Sequence, residues 1–145
     1  MRVLVQRVLS ASVTVDGEVI SSIDKGMLLF VCFEKGDAEE SLQKCVDKIS
    51  KLRIFDDENG RLNYNVSQSG GKILSVSQFT LSWDGSGGHR PSFENSEAPQ
   101  LARLRYALFN KMLRDQGLEV CEGRFGADMK VSLVNDGPVT FMLHF

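Results

Sequence analysis

Two short stretches combine polar side chains with strand-forming neighbours. They are Ser77-Gln78-Phe79-Thr80 within SVSQFTL (75–81) and Gly137-Pro138 within NDGPVTF (135–141). In the first, an amide and a hydroxyl interrupt an apolar run. Read as a strand, residues 72–81 put Leu74, Val76, Gln78 and Thr80 on one face, with Ile73, Ser75, Ser77 and Phe79 on the other. Gln78 and Thr80 then point the same way, about 7 Å apart. The plain reading is a strand whose polar end leaves the core, since threonine is a good strand former. The chemical reading is a shelf of donors that holds a substrate. Thr80 as a nucleophile needs a base to take its proton. The only histidines are His89 and His144, neither placed beside Thr80 by sequence, and no Ser-His-Asp pattern is legible. Donors that face a developing oxyanion fit these residue types better than hydroxyl attack.

In the second stretch Asn, Asp, Gly and Pro are turn formers. Pro138 would then open the last strand, where a missing N–H is tolerated. The chemical reading makes the same residues a backbone wall. Glycine lets main chain come close to a ligand, and proline holds it there. Between the two motifs, HRPSFE (89–94) offers Arg90 for a phosphate or carboxylate and Phe93 for stacking on a base. A solvated arginine and an anchoring phenylalanine would look the same. Asp56-Asp57-Glu58 reads as a solvated turn. His89 and His144 read as non-ligands, so no metal and no cofactor are expected.

The elements that must carry these residues are legible in outline. VTVDGEVI (13–20) is a hairpin signal around Asp16-Gly17. MLLFVCF (27–33) is a buried strand. In residues 36–55 the period changes, and Leu42, Cys45, Val46, Ile49 and Leu52 share a helical face. Asp37, with Glu40 three residues on, suits the helix start. Residues 56–63 form a polar turn, and 84–98 form the longest irregular segment, of the kind that carries function. PQLARLRYALFNKMLRDQG (99–117) is a second helix, with Pro99 in its first turn and Gly117 at its end. Leu101, Leu104, Leu108 and Met112 mark its expected inner face. Three strands follow, EVCEGRF, MKVSLV and VTFMLHF. The last ends apolar, which points to packing in a sheet or at a subunit contact. The order implies an α+β fold: a barrel-like antiparallel or mixed β-sheet with two amphipathic helices packed on it.

Composition sets the frame. The 145 residues suit one domain, 1–145, able to bury roughly 70% of its unfolded surface. The formal charge of −2 argues against a DNA duplex partner, but not against gripping a few terminal nucleotides. Cys32, Cys45 and Cys121 are widely spaced, with no CxxC and no Cys/His cluster. They read as free thiols in a reducing compartment. The N-terminus alternates where a signal peptide would be continuously apolar, and no run reaches the ~18 apolar residues of a membrane span. A cytoplasmic protein without a membrane partner is expected.

SQFTL (77–81), RPSF (90–93), NDGPVTF (135–141) and the opening MRVLVQRVLSASVTVDGEVI resemble the D-aminoacyl-tRNA deacylases. The likeness spans essentially the whole chain, in order and spacing. Where that family usually has a lysine-bearing loop before the arginine, this chain reads Gly-Gly-His. The resemblance implies a homodimer with two sites at its interface, and a cis Gly-Pro that each subunit inserts into its partner's pocket. Gly137 and Pro138 would form a chirality gate, and Ser77, Gln78, Phe79 and Thr80 would line the facing pocket. Substrate would be the 3′ end of a D-aminoacyl-tRNA. For the family, Thr80 is open between nucleophile and bystander to a reaction aided by the ribose 2′-OH; the missing base favours the second.

The physics of such a filter is independent of the name. D and L residues differ only in which way the side chain leaves Cα. A pocket reads size and polarity, so rejecting every L residue needs a rigid obstacle where even a methyl would go. Glycine carries no side chain and would pass. Two other functions compete: an editing-like module that binds aminoacyl or nucleotide ends without turnover, and a structural dimer in which Thr80 and Gln78 have no role.

Overall fold

The computed structural model describes residues 1–145 throughout. Strand β1 (Arg2–Val15) turns at Asp16-Gly17 into β2 (Glu18–Ile23), and β3 (Gly26–Cys32) follows. Asp16 and Gly17 both take positive φ, 52° and 83°, as a two-residue hairpin turn of matching twist requires. Helix α1 (Glu39–Lys51) leads to a small hairpin of β4 (Phe55–Asp56) and β5 (Leu62–Tyr64), then β6 (Lys72–Ser77). A 3₁₀ turn (Phe79–Ser82), helix α2 (Pro99–Asp115), β7 (Val120–Glu122) and β8 (Lys130–His144) complete the chain.

The main sheet runs β2-β1-β3-β6-β7, with β8 on the other side of β1. β1 pairs antiparallel with β2, β3 and β8, while β3–β6 and β6–β7 are parallel. The result is a mixed, nearly closed, barrel-like sheet with two helices, the expected α+β class. β3 is apolar throughout because both its faces are covered. Met27, Leu29 and Val31 join Val3, Val5 and Ile73 beneath α1 and α2. Leu28 faces the opposite way, with Val13, Ile23, Leu74 and Val76. Parallel β3 and β6 approach so closely that a Cβ on Gly26 would lie 1.9 Å from the Lys72 carbonyl oxygen.

Four sequence expectations need correction. α2 buries Tyr106, Phe109, Asn110 and Leu113, whereas Leu101, Leu104 and Leu108 are exposed and Met112 only joins the core's margin. Asp37 does not cap α1. The cap residue is Ala38, without a side-chain bond, because the Asp37 carboxylate instead takes the Met1 ammonium at 2.6 Å and the Glu34 N–H at 2.7 Å. MKVSLV and VTFMLHF are halves of one strand, β8, so Pro138 lies mid-strand and does not open the strand. Finally, β6 stops at Ser77, so Gln78 and Thr80 are not on a strand.

Candidate active site

The turn after β6 builds the first half of the site. Gln78 N–H still donates to Val31 O at 2.8 Å, which ties the exit of β6 to the end of β3. The backbone then leaves extended geometry and Phe79–Ser82 make one 3₁₀ turn. That turn draws Gln78 and Thr80 together: Gln78 Nε2 donates to Thr80 Oγ1 at 2.6 Å. A continued strand would have held them apart. No carboxylate or imidazole is hydrogen-bonded to Thr80. The backbone N–H groups of Phe79 and Thr80 open the 3₁₀ turn, whose first donors have no partner within the turn itself.

Ser77, Gln78 and Phe79 line a cleft of about 680 Å³, together with Phe33, Phe93 and Phe125. Phe79 and Phe93 meet edge to face, 5.0 Å between ring centres, so the 84–98 segment does reach the site through Phe93. Arg90 is exposed and does not line the cleft; Thr80 is exposed at its margin. Cys32 lines it, with Sγ 3.4 Å from Phe79 O. Burial, helped by Glu34, pushes this thiol up to about 11. A neutral thiol is a poor nucleophile. No cluster of three His, Cys, Asp or Glu is placed to hold a metal ion.

The second half is a bulge in β8. Gln6 pairs with Thr140 and Val8 with Asn135, so residues 136–139 stand opposite Arg7 alone. The surplus chain protrudes and exposes Gly137 and Pro138, joined by a cis peptide bond. Gly137 sits at φ 140°, and a Cβ there would meet Val139 Cγ2 at 2.6 Å, so no other residue fits. Arg7 is buried and anchors the bulge. Its Nε donates to Asp136 O at 3.0 Å and pairs with Asp136 Oδ2 at 3.1 Å, while Nη1 donates to Ile54 O at 2.8 Å. Gly137 and Pro138 do not line the cleft of their own chain. Sequence reading overlooked Arg7, Gln6 and Asn135. The only available signal was a charged residue inside the alternating run RVLVQRV.

The fold is a barrel-like mixed sheet that carries two helices and opens an aromatic-lined cleft where β3 and β6 end. The sequence model of D-Tyr-tRNA(Tyr) deacylase matches residues 4–144. Proteins named D-aminoacyl-tRNA deacylase in Saccharophagus degradans and Brevibacillus brevis are 50% and 52% identical over 143 residues, 99% of each chain. Among solved structures, the c-Myc DNA unwinding element binding protein superposes with TM-score 0.94 at 39% identity, covering 100% of this chain and 99% of its own. A probable eukaryotic D-amino acid tRNA deacylase, at 17% identity and TM-score 0.85 with 98% and 97% coverage, shares the fold. The chain belongs to the D-Tyr-tRNA(Tyr) deacylase family, and is thus an enzyme of the aminoacyl-tRNA hydrolase class.

Proposed function

We propose that this protein hydrolyses the ester between a D-amino acid and the 3′ end of tRNA, and spares L-aminoacyl-tRNA by a main-chain gate at Gly137-Pro138. The observation that carries the mechanism is the 2.6 Å Gln78–Thr80 hydrogen bond with no base attached. Held by the Gln78 amide and with no base to take its proton, the Thr80 hydroxyl is a donor to substrate and not an attacking group. Water adds to the ester carbonyl. The tetrahedral oxyanion takes hydrogen bonds from the N–H groups of Phe79 and Thr80. The terminal ribose 2′-OH relays a proton to O3′ as the carbonyl carbon–O3′ bond breaks, releasing the free amino acid and the tRNA 3′-hydroxyl. Phe79 and Phe93 take the terminal base by stacking. Arg90, exposed on its loop, meets backbone phosphate.

The gate needs a second copy. Gly137 and Pro138 do not line their own cleft, and β8 pairs only with β1. Its outer edge, with Val134, Phe141 and Met142 exposed, is a long free strand of the kind proteins cover. A homodimer that covers this edge and passes each bulge into the partner's cleft accounts for both features. Residues 1–145 act as one cytoplasmic domain in this reading, with glycyl-tRNA as a further substrate. Assays of D-Tyr-, L-Tyr- and Gly-tRNA test it. The expected result is rapid loss of the first and third with the second intact. Intact Gly-tRNA at enzyme levels that clear D-Tyr-tRNA would refute a purely steric gate.

A further inference from the structure

The bulge in β8 is closed at its base by a single side chain. Asn135 Oδ1 accepts the Val139 N–H at 2.9 Å. Asn135 Nδ2 donates to Val139 O at 3.3 Å and to Thr140 Oγ1 at 3.1 Å. Thr140 Oγ1 also accepts from Gln6 Nε2 at 3.2 Å, which fastens the assembly to β1. Residues 136–139 have lost strand partners, since four of them face Arg7 alone. The Asn135 amide supplies the donor and acceptor that a neighbouring strand would have given Val139. Arg7 holds the first residue of the bulge and Asn135 holds the last. The exposed Gly137 between them is the residue type with the greatest backbone freedom.

We propose that Asn135 is the positioning residue that sets chiral discrimination, by fixing the main chain of Gly137-Pro138 where an L side chain would go. This rests on the gate reading above. A steric filter is only as good as its stiffness: an obstacle that yields by about an ångström admits a methyl group. Asn135 does not line the cleft, and the 3₁₀ turn does not depend on it. Loosening the bulge therefore acts on rejection of L more than on hydrolysis of D.

The test compares kcat/KM for D-Tyr-tRNA and L-Tyr-tRNA, with amide exchange at Val139 as the local readout. Asn135→Ala is expected to lower the D/L ratio at least tenfold, through faster L-Tyr-tRNA hydrolysis, and to speed Val139 exchange. Thr140→Val, which removes one acceptor but keeps the branched shape, should shift the ratio less. A merely structural role would lower both activities together and leave the ratio alone; that result overturns the proposal. If Asn135→Ala does not fold, Asn135→Leu carries the test. It keeps the size and loses both the acceptor for Val139 and the two donors, so an unchanged ratio there is equally fatal. Pro138→Ala, run in parallel, separates the failures. A ratio that responds to Pro138→Ala but not to Asn135 variants removes Asn135 and keeps the gate. A ratio that responds to neither removes the gate and Asn135 with it.

Discussion

Thr80 is the residue on which the mechanism turns, and its surroundings predict a mild phenotype. With Gln78 as the only hydrogen-bond partner of its hydroxyl, Thr80→Ala should keep kcat within about tenfold, since one substrate hydrogen bond is worth about 0.5–1.5 kcal/mol. A tRNA ending in 2′-deoxyadenosine should instead lose most of its turnover. Single-turnover assays of both decide the matter; an inert Thr80→Ala enzyme with an unaffected deoxy substrate would restore Thr80 as the nucleophile. The buried thiols give a second prediction. Burial pushes Cys32 up to about 11 and Cys45 up to about 12. Above the ordinary thiol value of ~8.5 the unfolded chain gives up these protons while the folded chain keeps them. Stability is therefore full below that pH and falls as pH rises towards the folded values, with a slope of about 1.4 kcal/mol per pH unit per thiol. Cys45→Ala should flatten the fall of melting temperature between pH 9 and 11, whatever it does to the level at pH 7. An unchanged slope would mean that Cys45 is not the proton holder.

At the scale of elements, α2 shows where a sequence pattern stops deciding. Leu101, Leu104 and Leu108 have helical spacing, but so do Ala102, Tyr106, Phe109 and Leu113. The second set is the one that packs, with Tyr106 Oη also donating to Ser75 O at 2.7 Å. Leu113→Ala should cost about 2–5 kcal/mol and Leu104→Gln less than about 0.5 kcal/mol in urea unfolding; reversed values would turn the helix over. The hairpin at Asp16-Gly17, β3 and both helices were legible because local chemistry and period fix them. The end of β6 was not. Gln78, Phe79 and Thr80 continue a strand pattern, and the turn is marked by the bonds from Leu81 N–H to Gln78 O and Trp83 N–H to Thr80 O and by the packing of Phe79 on Phe93. The motif residues of the candidate site were visible as types, but their geometry was not. The Asn135–Val139 clamp and the Arg7 anchor arise from β1–β8 register, where Gln6 meets Thr140 and Val8 meets Asn135, pairs that no local window contains.

At the scale of the whole molecule, the two halves of the site do not share one cleft within one chain. The cleft lies at the ends of β3 and β6, and the bulge rises from β8 without lining it. In the proposed two-fold dimer each subunit would offer its cleft to one shared site and its bulge to the other. That geometry makes complementation the sharpest test. Ser77→Phe fills the cleft of its own subunit. Gly137→Leu distorts the bulge, because any side chain at φ 140° runs into Val139, and so disables the site in the cleft of the partner. Each variant alone should be inactive on D-Tyr-tRNA as a homodimer. In a mixed dimer, one site combines the open cleft of the Gly137→Leu subunit with the intact bulge of the Ser77→Phe subunit, while the other site is blocked twice. Equal co-refolding should therefore return about a quarter of the wild-type activity, since about half of the randomly formed dimers are mixed and each has one working site of two. Sedimentation would report the dimer, and differently tagged subunits would report the mixing. Mixed dimers that form without regaining activity would mean that cleft and bulge do not meet across subunits, and the gate would have to be sought elsewhere.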